Sequence, residues 1–317
     1  MKLREIYSLA IKLGIEKDVR GPQEIEKILL NRKQQFERMD DKDATFFDEE
    51  SLNNPFSDSR ILFGTGEEEI KTMMVGIDIE VPEILMADQL RQQGREIDMI
   101  LAHHPEGVAL AELYGVMDLQ ADLLARAGVP INVGENIMTA RISEVKRNIM
   151  PVNHQRAVDA ARILGIPFMC VHTPADNLVN DFVQSYLDAK TPERLEEVLD
   201  LLVEIPEYRQ ARIMKAGPQL VVGDKRQRDG RIMVDFTGAT SGSTDVYEKL
   251  KFSGVGTVVC MHIQEKHREQ AKKHNINVVV AGHIASDSLG LNLFLDQVES
   301  RGISIIPGSG LIRVSRL

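Results

Sequence analysis

Apolar positions recur along this chain in two rhythms. Near the N-terminus Leu3, Ile6, Leu9, Ala10 and Leu13 fall at helical spacing, and Pro22 opens a second helix that runs to Gln35. The polar, turn-rich stretch from Asp40 to Pro55 reads as a linker or loop. From Ile61 to about Ala189 the rhythm changes, and short continuous apolar runs alternate with longer amphipathic ones. Thr72–Asp78, Ile97–Ala102 and Ile166–Val171 read as buried strands, and Pro82–Gln93, Gly107–Gly128, Val152–Leu164 and Leu178–Leu187 as helices. Pro192–Leu202 predicts a further helix and Pro206 a turn. Beyond about Gly217 a strand pair, Gln219–Gly223 and Gly230–Phe236, leads to a helix from Thr244 to Phe252. The strands Gly256–Met261 and Val278–Ala281 follow, then a helix opening at Gly282, and Ser304–Pro307 is expected to close the sheet.

Strands alternating with helices predict an α/β protein with largely parallel, helix-covered sheets. The chain divides into a helical N-terminal extension (residues 1–60), a first α/β lobe (61–190) and a second α/β portion (191–317). The extension reads as a lid, an oligomer arm or a partner site.

Composition narrows the function classes. With 317 residues and 43% hydrophobic content the chain can bury a sizeable core. A formal net charge of −10 and the lack of a long basic tract argue against nucleic-acid coating. The two cysteines, Cys170 and Cys260, make no disulfide framework and point to a reduced, cytoplasmic setting. No apolar run reaches the length of a membrane span, and the N-terminus lacks the apolar core of a signal peptide.

Candidate chemistry gathers at strand ends, where open α/β sheets place their sites. His103 and His104 follow the Ile97–Ala102 strand and precede Pro105. Alternation relaxes where a strand's ladder gives out, so both imidazoles can turn toward one cleft. His283 and Asp287, four apart on a helix, share a face and suit zinc, manganese, iron or nickel. Asp176, just beyond the Ile166–Val171 strand, reads as a bridging carboxylate or, with Asn177, as a cap for the next helix. Asp78 reads as support for a ligand or as a buried structural aspartate.

Three motifs in this order resemble the Nif-three-like family, whose members often carry the name GTP cyclohydrolase type-2 homologue. They are Gly76-Ile77-Asp78 with Ile100-Leu101-Ala102-His103-His104-Pro105, then His172-Thr173-Pro174-Ala175-Asp176, then Gly282-His283-Ile284-Ala285-Ser286-Asp287. The resemblance spans roughly Arg60 to Leu317. It implies two interlinked α/β lobes and a site for two divalent metal ions on His103, His104, Asp176, His283 and Asp287. His172 would then orient a ligand or substrate. Asp287 stands where the family usually has a glutamate, and Ile284 where it usually has an aromatic residue. A ring-shaped homohexamer is also implied. The expected function is metal-dependent hydrolysis of a nucleotide or other phosphorylated small molecule. The alternative is a non-catalytic metal-holding regulatory or assembly protein.

Lesser candidates remain. Cys170-Val171-His172 and Cys260-Met261-His262 share a Cys-x-His pattern that two strand ends could combine into a closed zinc site, although a buried free cysteine is more often a small core residue. His262, His267 and His274 lie on or near a charged helix from Gln264 to His274 and read as solvent-facing or ligand-orienting. The Gly238–Thr244 loop reads as a capped turn or as a source of backbone amides for an anion.

Overall fold

A computed structural model describes residues 1–317. Nine strands form two helix-flanked sheets: β1 (Arg60–Phe63), β2 (Thr72–Gly76), β3 (Met99–Ala102), β4 (Phe168–Cys170), β5 (Gln219–Val222), β6 (Arg231–Asp235), β7 (Val255–Cys260), β8 (Asn277–Val280) and β9 (Ser304–Pro307). The first sheet has the order β1-β4-β3-β2-β9 and the second β5-β8-β7-β6. Only the edge strands β1 and β5 run antiparallel to their neighbours. The central strands are mostly apolar, as sheets covered on both faces require; all four residues of β3 are buried.

Several elements differ from the sequence reading. The 219–223 and 230–236 strands are not a pair: β5 and β6 lie at opposite edges, each bonded to an intervening strand. Pro206 starts a helix, Pro206–Ile213, in keeping with the tolerance of a first turn for a residue without an N–H. The helix expected from Leu178 begins at Thr173, which puts Asp176 and Asn177 inside its first turns rather than at its cap. A helix at Ile131–Ile149 was not apparent in the apolar pattern, because only Gly134, Met138 and Val145 along it are buried. The last strand β9 bonds to β2, so the chain returns to its first sheet.

The N-terminal helix, Leu3–Glu16, belongs to the core and is not a lid. Leu3, Ile6, Tyr7, Ala10 and Ile11 pack with Met73, Val75 and Phe294 in the largest apolar cluster. Glycine makes the closest contacts. A Cβ at Gly14 would lie 2.7 Å from Pro174, and one at Gly290 would run into the carbonyl oxygen of Ala175. That second approach presses the His283–Glu299 helix onto the Thr173–Lys190 helix near their N-terminal turns, which carry Asp287 and Asp176.

Amide side chains of the Thr173–Lys190 helix tie it to the second sheet. Asn180 Oδ1 accepts from Phe236 N at 3.0 Å and Gln184 Oε1 from Val234 N at 2.9 Å, satisfying the open edge of β6. Asn177 accepts from Thr237 Oγ1 at 2.6 Å and donates to Gly14 O at 3.1 Å. One helix thus fixes the N-terminal helix, the first sheet and the β6 end relative to one another.

Candidate metal centre

The carboxyl ends of strands from both sheets converge on one cluster. β3 ends into His103 and His104, β4 into His172 and the helix bearing Asp176, and β8 into the helix bearing His283 and Asp287. Gly282, with φ of +116°, makes the turn from β8 into that helix, and a Cβ there would meet Ala216 O at 2.6 Å. The parallel ladder runs one step past β3, with His103 N donating to Gly76 O and His104 N to Ile77 O, both at 2.9 Å. Beyond it the imidazoles close on the same carboxylate. His103 Nε2 lies 3.5 Å from Asp287 Oδ1, and His104 Nε2 lies 3.5 Å from Oδ2.

All five residues expected at a metal site meet here. His103 Nε2 is 3.4 Å from Asp176 Oδ1, and His283 Nε2 is 3.5 Å from Asp287 Oδ2. Their ligand atoms form overlapping groups whose members lie within 4.8 Å of one another: His104, His283 and Asp287; His103, Asp176 and Asp287. Asp287 is common to both, so despite the shorter side chain it reaches the position a bridging carboxylate needs. His172, expected only to orient a neighbour, joins a third group with His103 and His104 and holds Nε2 3.8 Å from Asp176 Oδ2.

Hydrogen bonds on the far side of each ring settle which nitrogen faces the cluster. His103 Nδ1 lies 3.0 Å from Val171 O, His104 Nδ1 2.6 Å from Asp78 Oδ1 and His172 Nδ1 2.8 Å from Asp58 Oδ2. A carbonyl and two carboxylates only accept, so each Nδ1 carries a proton and each Nε2 turns inward, with a lone pair whenever its ring is neutral. That arrangement is how metal-binding histidines are oriented. Asp78 is 61% exposed, so it is not a buried structural aspartate, and its carboxylate accepts from His104.

The cluster lacks partners of its own. His103 Nε2, Asp176 Oδ1 and both oxygens of Asp287 are buried without a hydrogen bond. Acceptors facing acceptors away from water are strongly unfavourable unless a cation or protons lie between them. Nitrogen and carboxylate donors in this number fit divalent transition ions. Without metal the cluster attracts protons. Burial opposes a charge on His103, yet Asp287 and Asp176 outweigh it and push the imidazole up to about 10. In His104 burial is likewise overcome, by Asp287 and Asp78, and the ring rises to about 9. Burial disfavours the Asp287 anion too, but His103, His104 and His283 hold its carboxyl well below the usual carboxylate range.

Asp58, in the N-terminal segment, is the functional residue that sequence reasoning missed. It is fully buried and accepts from both His172 Nδ1 and Thr173 Oγ1, the latter at 2.6 Å. No motif spacing marks it, since 114 residues separate it from His172. The only signal was an acid just before the first apolar run.

Other candidates fall into place. Cys170 and Cys260 are buried in separate apolar cores, so the closed zinc site of two Cys-x-His pairs does not assemble. His262 is brought to the cluster, its ring 4.8 Å from that of His283. His267 stands edge-on to Tyr247 at 5.8 Å, and His274 ends its helix away from the cluster. No helix is long and apolar enough to cross a membrane.

No family model and no curated protein matches the sequence. Among solved structures, the chain is similar to a NIF3 superfamily protein from Sphaerobacter thermophilus, 26% identical over 92% of this chain and 98% of that one, with a TM-score of 0.71. Reduced HcgD from Methanocaldococcus jannaschii shares the fold at 15% identity, covering 84% and 94% of the two chains with a TM-score of 0.50. Fold, motif order and the Sphaerobacter likeness agree, and they support the resemblance to the NIF3 superfamily.

Proposed function

We propose that this protein holds two divalent transition-metal ions and hydrolyses a nucleotide or other phosphorylated small molecule. The observation that carries the reading is the set of buried, partnerless ligand atoms on His103, Asp176 and Asp287. One ion would take His104, His283 and Asp287; the other His103 and Asp176, again with Asp287. A metal pair supplies a water deprotonated near neutral pH and positive charge for a phosphoryl group. The chain itself supplies orientation. Val171 O, Asp78 and Asp58 fix three imidazoles, while exposed His262 stands beside His283 where substrate would approach. A homohexamer belongs to the same proposal, and native mass spectrometry reads it directly.

Metal content per chain, by mass spectrometry, tests the reading. About two ions in the wild type, with loss of at least one in His103→Ala and in His283→Ala, supports it. Undiminished two-ion stoichiometry in both variants overturns the ligand assignment. Hydrolysis of a phosphoester panel with zinc, manganese or iron then separates a hydrolase from a metal-holding assembly protein.

A further inference from the structure

The loop after β6 shares a cavity with the metal cluster. Thr237, Ser241 and Gly242 line a space that also reaches His172, His283 and Asp287. Its backbone is held in one orientation from behind. Gln120, nearly buried, donates through Nε2 to Gly238 O and Thr240 O, both at 2.6 Å, and Arg141 Nε donates to Ser241 O at 2.9 Å. Three carbonyl oxygens of the loop are thereby occupied. The amides of Ala239, Ser241, Gly242 and Ser243 donate to nothing in the chain. Gly238 and Ala239 have φ of +97° and +73°, the left-handed backbone that brings neighbouring N–H groups to one side. A Cβ at Gly242 would run into Gln120 Oε1, so this packing needs glycine.

A second cavity opens from the first, sharing Asp235, Ser241, Gly242 and His262 with it. Its walls mix apolar side chains, among them Leu124, Val258 and Tyr247, with the polar Gln120, Gln264 and His267. A cavity lined in that way, by a tyrosine ring and aliphatic groups with polar groups between them, suits an uncharged ring.

We infer that the Gly238–Ser243 loop binds the phosphoryl group of the substrate on its free backbone amides, beside the metal cluster, with the substrate's uncharged ring in the Tyr247 cavity. This rests on the proposed hydrolase reading and deepens it: the substrate class becomes a phosphate ester of a compact cyclic compound.

Zinc-loaded protein is titrated calorimetrically with inorganic phosphate and with phenyl phosphate, alongside zinc content. Gln120→Glu keeps the side chain's shape but replaces the donor facing Gly238 O and Thr240 O with an acceptor. Gly242→Ala disturbs the same loop from the other side and serves if the buried Gln120 variant does not fold. The expected result is weakening of both ligands by about tenfold or more in either folded variant, as the loss of one to two hydrogen bonds implies, at unchanged zinc content. Phenyl phosphate should bind wild type more tightly than phosphate. Wild-type affinity in both variants, or no phosphate affinity in zinc-loaded wild type, overturns the loop assignment while leaving the metal reading standing. Equal affinity for the two ligands overturns the ring cavity and leaves free phosphate as the ligand. Should the wild type hold neither zinc, manganese nor iron, the hydrolase reading fails by itself. The same titration of metal-free protein then decides the loop, since its amides need no metal to bind an anion.

Discussion

Asp58→Asn is the most searching single substitution, because it probes a residue outside all three motifs. The buried carboxylate accepts from His172 Nδ1 at 2.8 Å and from Thr173 Oγ1 at 2.6 Å. Both bonds fall on the same oxygen, Oδ2, so an asparagine that keeps its oxygen there accepts from both donors without a charge, and one that turns its NH2 there opposes both. Either way His172 loses the anionic acceptor that keeps its proton on Nδ1, and its Nε2 is no longer firmly fixed toward the cluster. A hydrogen bond to a charged group contributes about 1.5–3 kcal/mol, and loss of such an outer partner weakens metal binding about 10–100-fold, on the order of 1.4–2.7 kcal/mol. The two figures agree, so the effect should appear mainly in metal affinity. Competition with a chromophoric zinc chelator measures it, with Thr173→Val as the companion variant. Thr173→Val removes one donor to Asp58 but leaves His172 bound, so its metal affinity should change by less than the Asp58→Asn value. Zinc affinity in Asp58→Asn within twofold of wild type, in a folded protein, would refute the claim that Asp58 orients a metal-site imidazole.

Other expectations follow from the same geometry. The raised pKa values of His103, about 10, and His104, about 9, mean that protonation stabilises the metal-free fold. That contribution is fully present below the unfolded value near 6.5 and is lost as pH rises through 9 and 10, so the melting temperature of metal-free protein should fall over that window. Metal-loaded protein should not follow it, and apparent metal affinity should rise with pH because binding displaces protons; identical melting profiles with and without metal would rule this out. Gly290→Ala drives a methyl into Ala175 O and must force the two helices apart, destabilising by about 1–3 kcal/mol in urea denaturation; an unchanged midpoint would show that the crossing is looser than described. The double variant Cys170→Ala with Cys260→Ala should retain full metal content, since neither thiol belongs to a group of ligand atoms, although Cys260 lines the cavity beside them; metal loss would revive a cysteine site.

What was legible in the sequence divides along a physical line. Strand ends announce themselves, because a buried parallel strand is a short apolar run and its first polar residues mark the sheet's carboxyl edge; that logic located His103, His104, Asp176, His283 and Asp287 before their convergence was visible. Helices with a strong apolar face were equally readable, as at Leu3–Glu16. What stayed hidden needed the third dimension. The Ile131–Ile149 helix buries too few side chains to impose a period, and β5 and β6 look adjacent in sequence although two strands intervene. Asp58 and Gln120 act through partners more than a hundred residues away, and no local pattern records such a bond. The N-terminal segment shows the consequence. Read alone it is a charged helical arm, yet it supplies both the apolar face that seals the first sheet and the acid that orients His172. Removing it would therefore expose the core and unfasten the metal site together, so a truncation that folds and keeps its metal is the result this structure forbids.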